Sequence, residues 1–210
     1  TPFFVLEVVK LLVEDGVVEQ DGEGAWKLVR DIDKFDIPSK VYDVVKRRLD
    51  RLMKEQRELL ECASVVGEEC DSESVGIMLG REKLKLLKNL NEIEKTHKLI
   101  HYLKEKYRFD HAKIREVLYN DIGEELRKEY HRIVGDTLAN LYEGRQEEVV
   151  SDLAHHYHEA KDDKAGFFSL KAGDIAKENY ANQEAIRYYR NDLDHVDDRV
   201  SVLETIGGVE

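Results

Sequence analysis

The sequence is poor in the residues that stabilise disulfide or zinc folds and in those that break helices. Its 210 residues include two cysteines and two prolines. Cys62 and Cys70 stand eight positions apart with no further partner cluster, which argues against a disulfide framework or a zinc site and indicates buried thiols. The low proline content, with 41% hydrophobic and 37% charged residues, favours a mainly helical protein with packed cores.

Several functional signals are also missing. No apolar run approaches the roughly 20 residues that span a bilayer, and no charged-apolar-small leader opens the chain, so we expect a cytoplasmic protein. The pattern G-x-x-x-x-G-K-[ST] of a phosphate-binding loop does not occur. No nucleophile, base and orienting residue recur in a recognisable arrangement, and the sequence therefore predicts no enzyme activity.

The charge distribution leaves one alternative open. The formal net charge of −12 opposes nonspecific attraction to nucleic acid or anionic lipid. Between Lys83 and Lys113, however, nine Lys or Arg residues stand against four acids. A DNA-binding transcriptional regulator is the alternative that this segment favours, with Lys83, Lys85 and Lys88 on a groove-reading helix.

Residues 1–52 have the pattern helix, hairpin, helix. Thr1 and Pro2 are typical of a helix start, and one apolar face is predicted through Val5, Val8, Val9 and Leu12. A short hairpin turns at residues 21–24. A second helix is predicted to start at Ile37-Pro38-Ser39, with its bases towards water: Lys46, Arg47, Arg48 and Arg51.

Residues 53–122 have the element order of a winged helix. Helices are predicted over 54–66, after Asp71-Ser72 as a capping pair, and around Leu86, Leu90 and Ile93. Two strands, 99–103 and 106–109, follow them. Lys104 and Glu105 separate the strands by the spacing of a tight hairpin, although this pair is unusual in such turns.

Residues 123–210 are predicted to be helical and to contain repeats. One long helix carries the apolar positions Leu126, Tyr130, Ile133, Val134, Thr137, Leu138 and Leu141. Leu153-Ala154-His155-His156-Tyr157 matches the start of a tetratricopeptide unit, with residues 165–172 as its partner helix. A second unit is indicated, in which Asp192 replaces the small apolar residue usual at its position; its marker residues are Ala172-Gly173, Ala176, Glu184-Ala185, Tyr189 and Leu193.

His111 is the most informative single residue. It stands where a predicted strand, ending at Phe109, runs into a helix that begins near Ala112. A helix N-terminus presents unpaired N–H groups and partial positive charge, so an imidazole there is placed to meet an anion such as a nucleotide phosphate. The alternative is a cap or core histidine. Arg108 and Arg115 flank it, and pairing with Glu116 or Asp110 is the simpler role for them.

A histidine cluster at 155–158 invites a metal hypothesis, which the sequence does not favour. Adjacent residues on a helix point about 100° apart, so His155 and His156 are not expected to converge. His155 and His158 alone can share a face. We therefore predict no metal site.

The ordered motifs together resemble one family, the STAND-class signal-transduction ATPases of the prokaryotic branch with a winged helix and tetratricopeptide repeats. The resemblance covers nearly the whole chain and depends on the order of these motifs: Thr1–Val5, Ile37-Pro38 with Arg48–Leu52, Leu60–Gly67, Tyr107–Tyr119 and Leu153–Tyr157.

The resemblance implies a division into the end of the AAA ATPase lid (1–52), a winged helix (53–122) and a TPR-like region (123–210). It implies that the chain lacks the nucleotide-binding core and relays nucleotide state to a protein partner on the repeats. Pro2 matches the proline that packs on adenine, and His111 matches a histidine that reaches the ADP phosphates. ATP or ADP would bind only in the full-length protein, together with its core.

Overall fold

The computed structural model describes residues 2–30 and 41–193, with side chains as far as Arg190. Over these ranges the chain is mainly helical, as predicted, with two small sheets. Thr1 and the predicted helix start at Ile37-Pro38-Ser39 lie outside the described residues. The elements are α1 (Pro2–Glu14), β1 (Val18–Gln20), β2 (Trp26–Leu28), α2 (Val41–Leu49), α3 (Lys54–Val66), β3 (Glu69–Cys70), α4 (Ser72–Met78), α5 (Lys83–Glu92), a π-helical segment (Ile93–His97), β4 (Ile100–Leu103), β5 (Lys106–Phe109), α6 (Ala112–Asp121), α7 (Glu124–Leu141), a 3-10 turn (Gln146–Val149), α8 (Val150–Ala160), α9 (Lys164–Glu178) and α10 (Asn182–Leu193).

Helix α1 buries a different face from the one that its valines predict. Glu7, Leu11 and Leu12 are buried, whereas Val5 and Val9 are exposed. The predicted apolar face through Val5, Val8, Val9 and Leu12 is therefore confirmed at Leu12 and wrong at Val5 and Val9, while Val8 is partly buried. Hydrophobic periodicity alone does not orient this helix, because its interface with α2 contains a buried ion pair.

Arg48 on α2 forms that ion pair with α1. Its burial contradicts the prediction that the bases of α2 face water. Its side chain is 1% exposed and contacts the carboxylate of Glu7, while its Nε lies 3.1 Å from Oε1 of Glu14. It also donates to the carbonyl oxygen of His97. Arg51 pairs with Glu14 as well. Burial of a guanidinium group costs free energy unless the group is paired with an acid. The acids of α1 therefore face α2.

Residues 54–121 share one core with α2, which adds Val45 and Leu49, and this core lies between helices and a three-stranded antiparallel sheet of order β3-β5-β4. In the register, Cys70 of β3 is opposite Tyr107 and Ile100 of β4 is opposite Phe109. Strand β3 was not predicted, because two residues leave no periodic signal. The core side chains include Leu59, Leu60, Ala63, Val75, Leu86, Leu90, Ile93, Leu99, Ile114, Val117 and Leu118.

The predicted hairpin between β4 and β5 is confirmed despite its unusual turn residues. Lys104 and Glu105 have φ values of 49° and 67°. Positive φ at both central positions is the pattern of a type I′ turn, which usually contains Asn or Gly. The adjoining pair Leu103–Lys106 keeps the strands in register on either side of this turn.

Helices α7 to α10 pack in sequence, each against the next. Tyr130 and Val134 on α7 are buried with Cys62 and Val65 of α3, so α7 joins the core of the preceding region to the later helices. Leu126 and Leu141, predicted to be on the buried face, are exposed. The side chain of Asp192 lies outside the described residues.

A membrane span is not found in the part of the chain that the structure describes. None of its helices combines the length and the apolar character that crossing a bilayer requires.

Candidate functional site

His111 lies at the predicted strand-to-helix junction and is the N-cap residue of α6. Its Nδ1 accepts a hydrogen bond from the backbone N–H of Lys113 at 3.0 Å. In the neutral ring, this contact requires the proton to be on Nε2. The ring therefore combines a local capping role with a second nitrogen that can donate to an anion at the helix N-terminus.

The ring of His111 stacks on Phe3 in the first turn of α1. Their ring centroids are 3.7 Å apart and their planes differ by 20°. Pro2 directly precedes Phe3 and is the exposed first residue of α1. The fold thus brings His111 and Pro2, separated by more than half of the chain, into the same region.

An ion pair provides a second link between α1 and this junction. Nζ of Lys10 lies 2.6 Å from Oδ2 of Asp110, the residue before His111, and 2.9 Å from Oε1 of Glu7. The buried Glu7 carboxylate also contacts Arg48. The opening helix is therefore connected to the His111 junction by an aromatic stack and by a chain of charges.

A cleft of about 280 Å³ opens beside His111. Arg108, Asp110 and Arg115 are among its lining residues, together with Glu68, Phe109 and Ala112. Two guanidinium groups, an imidazole and a helix N-terminus give this cleft donors for a phosphate, while the carboxylates of Glu68 and Asp110 oppose an anion there.

Both arginines have partners, but not those considered from the sequence. Arg108 pairs with Glu69 across β3 and β5, and Nε of Arg115 donates to the carbonyl oxygen of Ser64 at 2.9 Å. Glu116 instead pairs with Lys113. The Glu69 carboxylate would compete with a phosphate for Arg108, whereas Arg115 is oriented by a neutral carbonyl oxygen.

The three lysines of the DNA-binding alternative are all exposed on α5. Lys85 pairs with Glu55 at 2.8 Å, which reduces its availability to a phosphate backbone. Lys83 begins the helix and Lys88 lies near its middle, while the exposed acid Glu92 ends it. All three bases are accessible to solvent.

A second group of functional side chains lies between α7 and α8. Nδ1 of His131 lies 2.9 Å from Nδ1 of His156, and the ring of His155 is 5.1 Å from that of His156. Ring nitrogens of the three residues lie within 4.8 Å of one another. His155 and His156 were not expected to converge, yet their ring nitrogens lie near a common point together with that of His131, which comes from another helix.

The pair His131–His156 is buried and connected to a tyrosine. The hydroxyl of Tyr119 lies 3.0 Å from Nε2 of His131, so the contacts run from Tyr119 through His131 to His156. Either neutral tautomer of His131 satisfies both contacts, since the hydroxyl and both rings can donate or accept. Burial and the neighbouring histidines lower the pKa of His131 and of His156 to about 3.

Sequence reasoning did not include His131 in this group. His155, His156 and His158 are close together in the sequence, whereas His131 stands 24 positions before His155. The periodicity around His131 indicates only that it belongs to a helix. No local signal distinguishes it.

Comparison with protein-family models, with curated proteins and with solved structures found no match to this chain.

Proposed function

We propose that this chain is a non-catalytic regulatory and interaction module of a STAND-type ATPase. In this proposal, residues 1–52 are the end of the ATPase lid, residues 53–122 are a winged helix and residues 123–210 begin a TPR-like array. The module relays the nucleotide state of an ATPase core, through the winged helix, to a protein partner bound on the repeats.

The observation that carries the proposal is the contact between His111 and Phe3. A switch residue must reach the lid when the nucleotide is bound in the closed state, and the stacked rings put His111 against the opening turn of α1. Pro2 adjoins that turn. An adenine near Pro2 and a phosphate near the Nε2–H of His111 would then bridge the lid and the winged helix.

The element order supports the assignment of the second domain. Helices α3, α4 and α5 precede the β4–β5 hairpin, and β5 also pairs with β3. Three helices and a hairpin that is widened by one short strand are the arrangement expected of a winged helix. The consecutive packing of α7 to α10 is likewise compatible with helical repeats.

The two links between α1 and the His111 junction give the proposal a physical mechanism. A rotation of the winged helix away from the lid would separate His111 from Phe3 and Asp110 from Lys10. A nucleotide held by both parts loses its imidazole contact on rotation. It therefore has different affinities for the two states, which is the requirement for a ligand-controlled switch.

Titration of the 210-residue chain with ADP tests this proposal. Weak binding at best is expected, with NMR shifts confined to the region of His111 and Lys113 and absent in His111→Asn. Asn keeps the capping acceptor but removes the imidazole. The chain should not turn over ATP, and hydrolysis by the purified chain would refute the proposal. A phosphate-binding loop and a Walker-type acid encoded before Thr1 would support it.

A winged-helix DNA-binding regulator is the second candidate, because Lys83, Lys85 and Lys88 are exposed on α5. The acidic net charge and the pairing of Lys85 with Glu55 oppose it. Duplex binding that weakens steeply between about 50 and 200 mM salt would favour this function. The triple variant Lys83→Ala, Lys85→Ala, Lys88→Ala should then abolish it. If the chain does not bind duplex DNA even at low salt, this candidate function is excluded.

A further inference from the structure

We propose that His131, His155 and His156 form a Zn²⁺ site that joins α7 to α8. The three side chains offer imidazole nitrogens, which suit Zn²⁺ among the common divalent cations of cells. They come from two helices, and their candidate ligand atoms lie within 4.8 Å of one another. The site is independent of the nucleotide switch and does not rest on it.

The spacing of the ring nitrogens is close to what a tetrahedral ion requires. Zn–N bonds of about 2.0–2.1 Å place two ligand nitrogens about 3.3 Å apart around a tetrahedral centre. His131 and His156 are at 2.9 Å, so they need to separate by only a few tenths of an ångström. The exposed His155 can then close towards them by side-chain rotation.

Tyr119 on α6 provides the outer contact that histidine ligands usually have. A ligating imidazole commonly donates its other N–H to an oxygen atom, which fixes the tautomer and the ring plane. The Tyr119 hydroxyl is 3.0 Å from Nε2 of His131. With the proton on Nε2 donated to this oxygen, the lone pair of Nδ1 points towards His156 and is free for the ion.

The charges around the cluster are mixed. The guanidinium groups of Arg115 and Arg127 lie 5.9 Å and 5.1 Å from the centre of the Tyr119 ring, and both oppose a cation. Arg115 also donates a hydrogen bond to the carbonyl oxygen of Ser64, which fixes its position. On the other side, the carboxylates of α8 that face His155 favour the cation: Asp152 and Glu159.

The site also has an entrance and an open coordination position. His155 lines a surface cleft of about 440 Å³ that also contains Asp152, His158 and Glu159. An ion can reach the buried pair from this cleft, and water or one of these carboxylates can complete the fourth position. Three protein ligands and one exchangeable ligand are typical of accessible rather than closed zinc sites.

Binding would stabilise one arrangement of three helices. Tyr119, His131 and the pair His155–His156 belong to α6, α7 and α8, so a bound ion would connect the region of residues 54–121 with the later helices. Ligands that bind only the folded chain stabilise it by mass action. Zinc availability would thus set how rigidly the later helices follow the preceding domain.

The experiment is a titration of the tag-free 210-residue chain, stripped with EDTA and dialysed, with Zn²⁺ and with Co²⁺. We expect one ion per chain, the intense visible absorption of four-coordinate Co²⁺, and a rise in melting temperature with Zn²⁺. His155→Ala removes an exposed ligand and should fold normally. It should lower the Zn²⁺ affinity by more than Tyr119→Phe does, and Tyr119→Phe by about 10–100-fold.

His158→Ala is the matched control, since His158 lies on the same helix and in the same cleft. It should leave affinity and spectrum unchanged. If His158→Ala abolishes binding while His131→Gln, checked for folding by circular dichroism, does not, the ion is held by the surface pair His155–His158 and the proposal is overturned. Absence of saturable binding by the unmodified chain overturns it as well.

Discussion

Tyr189 on α10 packs its ring against Gly173 on α9 so closely that a Cβ on the glycine would lie 2.4 Å from the ring. The same tyrosine donates its hydroxyl proton to Asp174 at 2.8 Å. The contact thus has two parts, a glycine beneath the ring and an acid at the hydroxyl.

The same arrangement occurs one helix pair earlier. Tyr157 on α8 lies over Gly135 on α7 and donates to Asp136 at 3.0 Å. From the sequence, α8 and α9 are predicted to form one repeat unit. These helices do pack together, with Tyr157 stacked on Phe168 at 5.2 Å, but the repeated Gly-Asp/Tyr contact joins α7 to α8 and α9 to α10.

This repeated contact predicts graded effects of glycine substitution. Alanine within a helix is usually more favourable than glycine by about 1 kcal/mol. In Gly173→Ala the clash with Tyr189 should reverse that sign and lower the free energy of unfolding by about 1–3 kcal/mol, as overpacking does. Gly135→Ala, whose Cβ would be 3.0 Å from Tyr157, should cost less.

Urea unfolding of the two variants measures this order. Gly22→Ala, in the turn between β1 and β2, is the control, because nothing lies within 4 Å of its added Cβ, and a change within about 0.5 kcal/mol is expected. Equal stability of Gly173→Ala and the unmodified chain would contradict the packing described for α9 and α10.

The buried pair Glu7–Arg48 should be sensitive to removal of one partner. Glu7→Gln removes the buried carboxylate of this pair and leaves Arg48 with the partly exposed Glu14, so a loss of about 3 kcal/mol in unfolding free energy is expected. The double variant Glu7→Leu, Arg48→Met should recover most of that loss, since apolar packing replaces both charges.

Lys85→Ala is the comparison for this experiment, because Lys85 pairs with Glu55 at the surface. Its effect should not exceed about 1 kcal/mol. If Glu7→Gln proves as mild as Lys85→Ala, then the ion pair is not what orients α1 on α2.

His111 should contribute to stability through its cap as well as through its stack on Phe3. His111→Ala removes both and is expected to cost about 1–2 kcal/mol. His111→Asn retains a side-chain acceptor for the Lys113 N–H and should recover about half of that loss. Thermal unfolding of the two variants separates the contributions, and indistinguishable melting temperatures would argue against a capping role.

The pair His131–His156 predicts a loss of stability in mild acid. The folded pKa of each, about 3, is below the value of about 6.5 expected in the unfolded chain, so the unfolded state takes up protons first as the pH falls. Stability is complete above pH ~6.5 and decreases towards pH ~3, by up to about 1.4 kcal/mol per pH unit for each histidine.

Unfolding free energies measured between pH 7 and pH 5 in the presence of EDTA check this slope. His131→Gln should reduce it by up to one proton. Arg115, Arg127 and His155 face the pair and all disfavour its protonation. A slope that is identical in His131→Gln would show that other groups cause the acid sensitivity.

The two cysteines should be unreactive in the folded chain. Both thiols are free and buried, as the sequence indicated, and burial raises the pKa of Cys62 and of Cys70 to about 12. About one thiol in ten thousand is then ionised at pH 8, and the thiolate is the reactive form. A thiol-specific reagent should label both only in denaturant; rapid labelling of the native chain would contradict their burial.

By itself, the amino-acid sequence determined most of the local elements and the residues that begin two helices. Asp71 begins α4 as the predicted cap, with its carboxylate accepting from the Ser74 N–H at 2.7 Å, and His111 begins α6. Apolar periodicity indicated α2, α3 and α7, and the two-residue spacing indicated the β4–β5 hairpin. These features depend on residues within a few positions of one another, which is the range over which caps and periodicity act.

Only the tertiary structure decided which charges are buried and which distant rings meet. It turned Arg48 inwards onto Glu7, stacked His111 on Phe3, and brought His131 between His155 and His156. Each of these contacts joins different elements, and its geometry follows from how helices pack. A pattern along one helix describes that helix alone, so it carries no information about the side chain that a neighbouring helix presents to it.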